Sequence, residues 1–333
     1  MDTTTGVILS FLLGYIPMFV FAGFVYWLDR YEKEPKILLG VVFTWGAIVA
    51  AGAAFLINSI LGTSIFLVSN SESFTAYTLG SLIAPVIEES LKGFAVFLVF
   101  LLFYREFDSL LDGIIYAGIV ALGFAATENV YYISVLGFAE GGLEGLLGMA
   151  FVRIILVGWQ HPFYTAFIGI GLAITRLSRK TWIQIAAPLI GWLLAVMTHS
   201  LHNFLVEFLS GSSQWVLGTA LDWLGWISIF VVVLFAIRKE RRMLTEQLLD
   251  EMQQGTITSR QYQTARSALA QGRARLSSLT ARRYRETSRF YQVAAELAHK
   301  KNQLAHLGEE GGNTPIIQQL RGELASLSPV AHA

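Results

Sequence analysis

Residues 84 to 94, APVIEESLKGF, place two adjacent glutamates and a lysine inside a stretch that is otherwise apolar enough to cross a membrane. A charged side chain at the centre of a membrane helix costs about 2.5 to 3.5 kcal/mol on insertion scales. Such residues usually face the interior of a helix bundle or a water-filled cavity. Glu88, Glu89 and Lys92 therefore predict both the kind of fold and the position of its functional site.

The composition of the whole chain is that of a membrane protein. Of its 333 residues, 54% are hydrophobic and 14% are charged, whereas ordinary soluble domains have about 25% charged residues. No cysteine is present, which excludes disulfides, thiol catalysis and thiolate metal ligands. The sequence has no nucleotide-binding motif, and we expect no nucleic-acid partner. The lipid bilayer is therefore the first partner that the composition predicts.

Seven stretches have the length of about 20 apolar residues that a membrane span requires. They are residues 6–28, 37–61, 74–104, 110–137, 149–175, 183–209 and 215–237. Basic residues follow the odd-numbered spans, and the positive-inside rule makes those ends cytoplasmic. These residues are Arg30, Lys33, Lys36, Arg105, Arg176, Arg179, Lys180, Arg238, Lys239, Arg241 and Arg242. The sequence predicts an all-α, polytopic bundle of about seven spans, with the N-terminus outside and the C-terminus inside.

We place the domain boundary at Arg238, because charged residues are much denser beyond it. Residues 1–237 form the predicted transmembrane domain, and residues 238–333 form a helical cytoplasmic tail with 15 basic and 9 acidic residues. The apolar stripe of this tail is thin, so we expect weak packing, self-association or a cytoplasmic partner. The arginine-rich piece from Arg273 to Arg289 is either a solvated helix face or a surface for anionic lipid headgroups.

Four predicted spans carry polar side chains that a lipid-facing helix would not keep. They are Glu88, Glu89 and Lys92 in the third span, Glu128 and Asn129 in the fourth, Arg153, Gln160 and His161 in the fifth, and His199, His202 and Asn203 in the sixth. At about 100° per residue, Lys92 projects between Glu88 and Glu89, so it can neutralise one glutamate and orient the other. Asn203 lies about 40° from His199 on the same helix. One shared cavity explains all of these positions most simply.

This set of side chains has the chemistry of a hydrolytic site. A carboxylate takes a proton from water, a histidine binds a metal or passes a proton, and an amide or second histidine stabilises an oxyanion. Glu88 or Glu89, with His161 and with His199 or His202, would suit zinc and leave one position open for water. No HExxH motif is present, so such a site has to be assembled between helices.

Each of these residues also has a structural interpretation. Glu88 with Lys92 could brace two helices, His161 could satisfy backbone groups at the kink of Pro162, and His202 could bond helix to helix. Asp112 and Glu207 lie near span ends and Asp222 lies about two turns into the last span, and we interpret all three as structural or interfacial. For the whole chain, a proton-coupled transporter, a seven-span receptor and a catalytically silent scaffold are the alternatives to an enzyme.

Five motifs in a fixed order resemble the PrsW family of bacterial intramembrane proteases, distant relatives of CAAX prenyl endopeptidases. They are DRYEKEP (Asp29 to Pro35), EESLK (Glu88 to Lys92), FAATEN (Phe124 to Asn129), QHPFYT (Gln160 to Thr165) and HSLHN (His199 to Asn203). The resemblance implies a multi-pass protease of the bacterial cytoplasmic membrane that cuts a single-span, membrane-tethered substrate such as an anti-sigma factor. It also implies that the paired glutamates and His199 are essential. The tail has no counterpart in the family pattern.

The residues and the resemblance together predict which side chains form the site and what each one does. We expect Glu88 or Glu89 to activate water, His199 to bind a metal or share the proton, and Lys92 and Glu128 to orient these groups. Asn203 completes the predicted catalytic set. The predicted metal ligands are Glu89, His161, His199 and His202, with zinc as the metal. A metal-independent glutamate and histidine mechanism fits the same residues.

Overall fold

The prediction of an all-α membrane protein is confirmed. The computed structural model describes residues 2–104, 107–208, 212–309 and 312–333, and of residues 212–215 it describes the backbone alone. These residues form helices and no strand. Arg105 and the end of the predicted sixth span at residue 209 lie outside the described part of the chain.

Among the described residues, nine α-helices precede the last apolar segment. They are α1 (Thr3–Leu28), α2 (Lys36–Thr44), α3 (Ala51–Ser69), α4 (Glu72–Tyr77), α5 (Ala84–Leu102), α6 (Leu110–Tyr131), α7 (Ala139–Ala150), α8 (Gln160–Leu177) and α9 (Thr181–Phe208). Four π-helical segments are continuous with them, at Trp45–Ala50, Thr78–Ile83, Tyr132–Phe138 and Phe151–Leu156. The helix α10 (Ser212–Gln247) then contains the last apolar segment.

Five helical stretches are long and apolar enough to cross a membrane. They are Thr3–Leu28, Lys36–Ser69, Leu110–Leu177, Thr181–Phe208 and Val216–Gln253. Helix α5 is outside this set, since it carries three charged residues, Glu88, Glu89 and Lys92. The number of seven spans and their orientation stay predictions.

The stretch Leu110–Leu177 is not one straight rod. Gly142 has φ 59° and ψ −141°, which breaks the helix inside α7. A Cβ atom on Gly145 would lie 2.3 Å from the carbonyl oxygen of Gly137. Eight residues of continuous helix would separate these two glycines by about 12 Å, so the chain reverses between them. This reversal agrees with the predicted division into two spans at this point.

Helix α6 lies at the centre of the membrane part. Its residues from Leu111 to Ala126 are all buried, and it contacts α1, α2, α5 and α8. Glycines allow this close packing, since a Cβ atom on Gly169 of α8 would lie 1.9 Å from the carbonyl oxygen of Gly113 of α6. Small residues at helix crossings are typical of membrane bundles. The central position of α6 brings Glu128 and Asn129 next to α8.

The chain forms two compact units, and the second one contains the tail. The first unit runs to Leu28 and resumes over Glu34–Val232, and the second combines Asp29–Lys33 with Val233–Ala333. Five helices follow α10 in the second unit: α11 (Leu249–Gln253), α12 (Ser259–Ala265), α13 (Ala268–Thr280), α14 (Tyr284–Leu307) and α15 (Asn313–Leu327). The boundary at Arg238 stays a prediction.

The tail unit has a hydrophobic core of its own, which the thin apolar stripe in the sequence did not lead us to expect. Phe290, Tyr291 and Leu297 are fully buried, together with Leu248 of the preceding segment and with Tyr31 at 3% exposure. Much of the remaining core is made of alanines and valine on α14. Small side chains contribute little to a hydropathy stripe but allow close helix packing.

Candidate active site

Polar side chains of six helices meet at one cavity of about 940 Å³ in the membrane unit. Its polar lining residues are Tyr15, Asn58, Ser59, Glu88, Thr127, Glu128, Tyr131, Tyr132, Arg153, Gln160, His161, His199, His202, Asn203 and Glu207. They come from α1, α3, α5, α6, α8, α9 and the π-helical segments beside them. The shared cavity that the sequence predicted is therefore present.

Glu89 lies behind the cavity wall and is fully buried. Its Oε1 accepts from Lys92 Nζ at 2.5 Å and lies 2.9 Å from His199 Nδ1. Its Oε2 accepts from the hydroxyl of Thr165 at 2.8 Å. Lys92 is also fully buried, and its ammonium lies 4.3 Å from the centre of the Phe124 ring. Glu89 thus has a cation and two further partners, as a charged group removed from water requires.

Glu88 faces the cavity instead. Its nearest polar neighbours are Asn58 Nδ2, 3.5 Å from Oε1, and His199 Nε2, 3.9 Å from Oε2. The buried Oε2 atom has no hydrogen-bond partner among the described residues. Helical geometry explains the difference, because adjacent residues diverge by about 100° and cannot face the same surroundings. Of the two glutamates, Glu88 is the one that can meet a ligand or water.

Glu128 forms the centre of a second group on the cavity wall. Its Oε2 accepts a hydrogen bond from the guanidinium of Arg153 and lies 2.8 Å from His161 Nε2. Arg153 Nε donates to the amide oxygen of Asn129 at 2.9 Å. The Glu128 side chain is 19% exposed, more than those of Glu88 at 10% and Glu89 at 0%. Arg153, which lay too near its span end to be included in the predicted set, belongs to the site.

His199 and His161 each have a carboxylate partner. A carboxylate can only accept, so His199 donates from Nδ1 to Glu89, and its Nε2 is left facing Glu88. His161 Nε2 lies 2.8 Å from Glu128 Oε2, and His161 Nδ1 lies 3.4 Å from Lys92 Nζ. A carboxylate that orients a histidine in this way is common behind metal ligands.

His202 and Asn203 line the cavity, but their polar atoms have other partners. His202 Nδ1 lies 3.0 Å from Oδ2 of Asp222 on α10. The other oxygen of Asp222 accepts from the Tyr164 hydroxyl at 2.6 Å. Asn203 Nδ2 donates to the carbonyl oxygen of Gly80 at 2.8 Å. Their predicted roles as metal ligand and oxyanion donor stay predictions. Asn203 makes a hydrogen bond between helical segments, whereas the contact of His202 with Asp222 lacks hydrogen-bond geometry.

Glu88, His161 and His199 form the group with the geometry of a metal site. Each offers one ligand atom, all three are buried, and these atoms lie within 4.8 Å of one another. One carboxylate and two imidazoles suit zinc. The set is one of the combinations that the sequence left open, although it takes Glu88 in place of Glu89 and leaves out His202.

Several residues of the site escaped the sequence argument. Thr165 follows His161 by one helical turn, and this spacing would have put it on the same face. Asn58 is an amide inside an apolar span, which is the same signal that identified Asn129. Tyr164 was given no role, and Asp222 was interpreted as structural. Their hydrogen bond connects α8 to α10, and the two residues are 58 positions apart in the sequence.

Comparison with known proteins identifies the family of the chain. Residues 34–237 match the family described as PrsW family intramembrane metalloprotease. Protease PrsW of Geobacillus kaustophilus is 25% identical over 233 residues, covering 69% of this chain and 89% of that protein. Protease PrsW of Bacillus subtilis is 26% identical over 231 residues, covering 69% and 93%. Protease PrsW of Clostridioides difficile is 32% identical over 123 residues, covering 37% and 50%.

No solved structure matches the chain significantly. The family match covers more than half of the chain and includes all the residues around the cavity except those of α1. The resemblance read from the five motifs is confirmed, and a protease takes the place of the transporter, receptor and scaffold alternatives. The chain belongs to the PrsW family of intramembrane metalloproteases and is a multi-pass membrane peptidase.

Proposed function

We propose that the cavity hydrolyses peptide bonds of single-span proteins in the bacterial cytoplasmic membrane, with Glu88, His161 and His199 as the ligands of a zinc ion. The observation that carries this proposal is the convergence of three buried ligand atoms within 4.8 Å. An anti-sigma factor is the kind of substrate that the motif resemblance suggests. The cavity volume of about 940 Å³ is near the upper end of the range for ligand pockets, which is room for an unwound peptide segment.

The charges around the cavity support a cation at this position. Glu89 pairs with Lys92, and Glu128 pairs with Arg153. Glu88 is the remaining carboxylate of this group, and its buried Oε2 has no hydrogen-bond partner among the described residues. A carboxylate removed from water without compensation is costly. A divalent cation held by Glu88 and the two histidines would supply that compensation.

The chain's own residues would divide the reaction between them. Zinc would act as a Lewis acid on the scissile carbonyl. Glu128 is the most exposed of the three carboxylates, and in this proposal it takes the proton of the attacking water and returns it to the leaving amine nitrogen. Arg153 holds Glu128 in position. Glu89, fixed by Lys92 and Thr165, keeps the His199 ring oriented with Nε2 toward the ligand group.

The test compares cleavage with zinc content in the purified full-length protein. With a single-span substrate in detergent, Glu88→Gln and His199→Gln should lose both bound zinc and cleavage. Glu128→Gln should keep zinc, while its cleavage rate falls by about 10² to 10⁴, the usual contribution of general acid–base catalysis. Glu144→Gln, on an exposed position of α7, is the matched control and should behave as the wild type.

Two results would contradict the proposal. Full cleavage by Glu88→Gln would remove this residue from the site. Wild-type protein that cleaves at the full rate without bound zinc would replace the metal mechanism with one in which Glu88 and His199 activate water directly. Elemental analysis of the same sample used for kinetics distinguishes the two mechanisms.

A further inference from the structure

Helix α13 of the tail unit packs with its polar side inward. Gln271, Ala274 and Ser278 are its buried residues. Leu269, Leu276 and Leu279 are 73%, 66% and 54% exposed. A helix on the surface of a globular unit normally shows the opposite arrangement, with leucines toward the core and polar residues toward water. The outward leucines of α13 therefore form a surface suited to an apolar environment.

Arginine shares this outward face. At about 100° per residue, Leu276 lies about 20° to one side of Leu269, and Arg273 about 40° to the other. Leu279 flanks them one turn further along. Arg273 is exposed. A helix face that combines leucines with a basic residue is typical of segments that lie in the interface of a membrane.

The sequence around α13 is strongly basic. Residues 252–285 contain seven arginines and no aspartate or glutamate. Five of these arginines have exposed side chains, and the exposed aromatic Tyr284 lies among them. The five are Arg260, Arg273, Arg282, Arg283 and Arg285. The segment is complementary to a negatively charged surface.

A groove of about 650 Å³ lies beside the exposed leucines. Arg260 and Arg273 line it, together with the hydroxyl-bearing Thr264, Ser267 and Ser277. Leu269 and the last residue, Ala333, complete its apolar and terminal walls. Guanidinium and hydroxyl donors are the groups that bind phosphate oxygens. The groove therefore has the chemistry for a phosphate-bearing headgroup next to a leucine face.

We propose that α13 and the adjoining arginines form a docking surface for anionic membrane lipid, with the leucines entering the interface and the arginines contacting headgroup phosphates. A soluble protein partner would explain the leucines, but not a run of seven arginines without one acidic residue. The tail is also covalently continuous with a membrane-spanning helix, so a bilayer surface is always within its reach. Each arginine near an anionic surface strengthens association about fivefold.

The absence of cysteine makes a direct test practical. The full-length Leu276→Cys protein is labelled with an environment-sensitive fluorophore and reconstituted into phosphatidylcholine vesicles, with and without phosphatidylglycerol. The control is Gln318→Cys, an exposed position on α15. We expect a blue shift and quenching by lipid-borne quenchers at position 276 in the anionic vesicles only, with no change at position 318. Added salt should reverse the effect.

A second variant separates lipid binding from other causes of shielding. Replacing Arg273, Arg282 and Arg285 by glutamine in the Leu276→Cys protein should lower the equilibrium constant for docking by about 10², because three arginine contacts are lost, and the quenching should fall accordingly. Equal quenching with and without these arginines would overturn the proposal. So would a probe that stays in water in both vesicle types. Shielding in detergent that grows with protein concentration would assign the surface to a second copy of the chain instead.

Discussion

Glu88 and Glu89 are neighbours in sequence but have different surroundings. Glu89 is fully buried among Lys92, Thr165 and His199, whereas Glu88 lines the cavity. The lysine that the helix geometry placed between the two glutamates makes its bond to Glu89 alone. This pairing stabilises a carboxylate in a position without water, and it leaves the charge of Glu88 to be balanced by something else.

The pair of Glu89 and Lys92 should behave as a coupled unit in a double-mutant cycle. Glu89→Gln or Lys92→Met alone leaves the other charge buried and should cost about 3 to 5 kcal/mol of stability. The double variant Glu89→Gln/Lys92→Met removes both charges and should be more stable than either single variant. Thermal or denaturant unfolding in detergent measures these differences.

An exposed ion pair of the same chain provides the control for this cycle. Arg242 Nε and Glu246 Oε1 lie 2.8 Å apart, and the two side chains are 82% and 57% exposed. Their coupling should be far weaker than that of the buried pair, as is usual at a solvated surface. Strictly additive effects of Glu89→Gln and Lys92→Met would show that the buried pair contributes no more than the exposed one.

Three π-helical segments adjoin the helices that carry Glu88, Glu128 and His161. Thr78–Ile83 precedes α5, Tyr132–Phe138 follows α6, and Phe151–Leu156 contains Arg153 and precedes α8. Irregular turns of this kind occur frequently at functional sites, because they shift the facing of the residues beyond them. Here the shift helps to orient Glu88, Glu128 and His161 toward one cavity. The positions and lengths of these π-helical segments depend on packing between helices. No local sequence pattern predicts them.

The crossing of α6 and α8 should be sensitive to a single methyl group. A Cβ atom on Gly169 would lie 1.9 Å from the Gly113 carbonyl oxygen, so Gly169→Ala must separate the two helices. We expect a loss of about 1 to 3 kcal/mol from overpacking. Zinc content should fall as well, since α8 carries His161 and α6 carries its partner Glu128. The measurements are the unfolding midpoint and elemental analysis.

Gly40→Ala on α2 is the matched control for this substitution. Nothing lies within 4 Å of a Cβ atom at Gly40, so the alanine should be neutral or stabilise the helix by up to about 1 kcal/mol. A Gly169→Ala protein with the midpoint and zinc content of this control would contradict the role of the close crossing.

The sequence predicted the site residues that are out of place in lipid and missed those that are unremarkable there. Glu88, His161 and His199 were found because charge and imidazole are costly in an apolar span. Thr165 and Tyr164 are ordinary residues in such a span, and their importance arises from bonds to Glu89 and Asp222. Those bonds join helices distant in sequence. Only the packing of the helices shows them.

Most of the loop between α1 and α2 belongs to the second of the two compact units. Residues Asp29–Lys33 belong with the tail, although residues 34–232 separate them from it in the sequence. Tyr31 is buried in the tail core, and Gln292 of α14 hydrogen-bonds both the backbone nitrogen and the backbone oxygen of Lys33. The motif DRYEKEP therefore has a structural function in this chain, and this link was not visible in the sequence.

Lys33 provides a test of this arrangement through pH. Burial lowers the pKa of its ammonium from 10.5 to about 8, an effect that the nearby Asp29 offsets only in part. Between these two values the unfolded chain holds the proton and the folded chain does not. The stability of the tail unit should therefore rise as the pH increases from about 8 to 10.5, and at neutral pH the buried charge is a net cost.

Lys33→Met removes that cost and should stabilise the tail unit at pH 7. Differential scanning calorimetry of the full-length protein measures the midpoint, and the advantage of the variant over wild type should shrink as the pH approaches 10. Lys239→Met changes an exposed lysine and should give no pH-dependent difference. A Lys33→Met protein that is less stable than wild type at pH 7, or equally displaced from it at both pH values, would show that the charge of Lys33 is not buried at a cost.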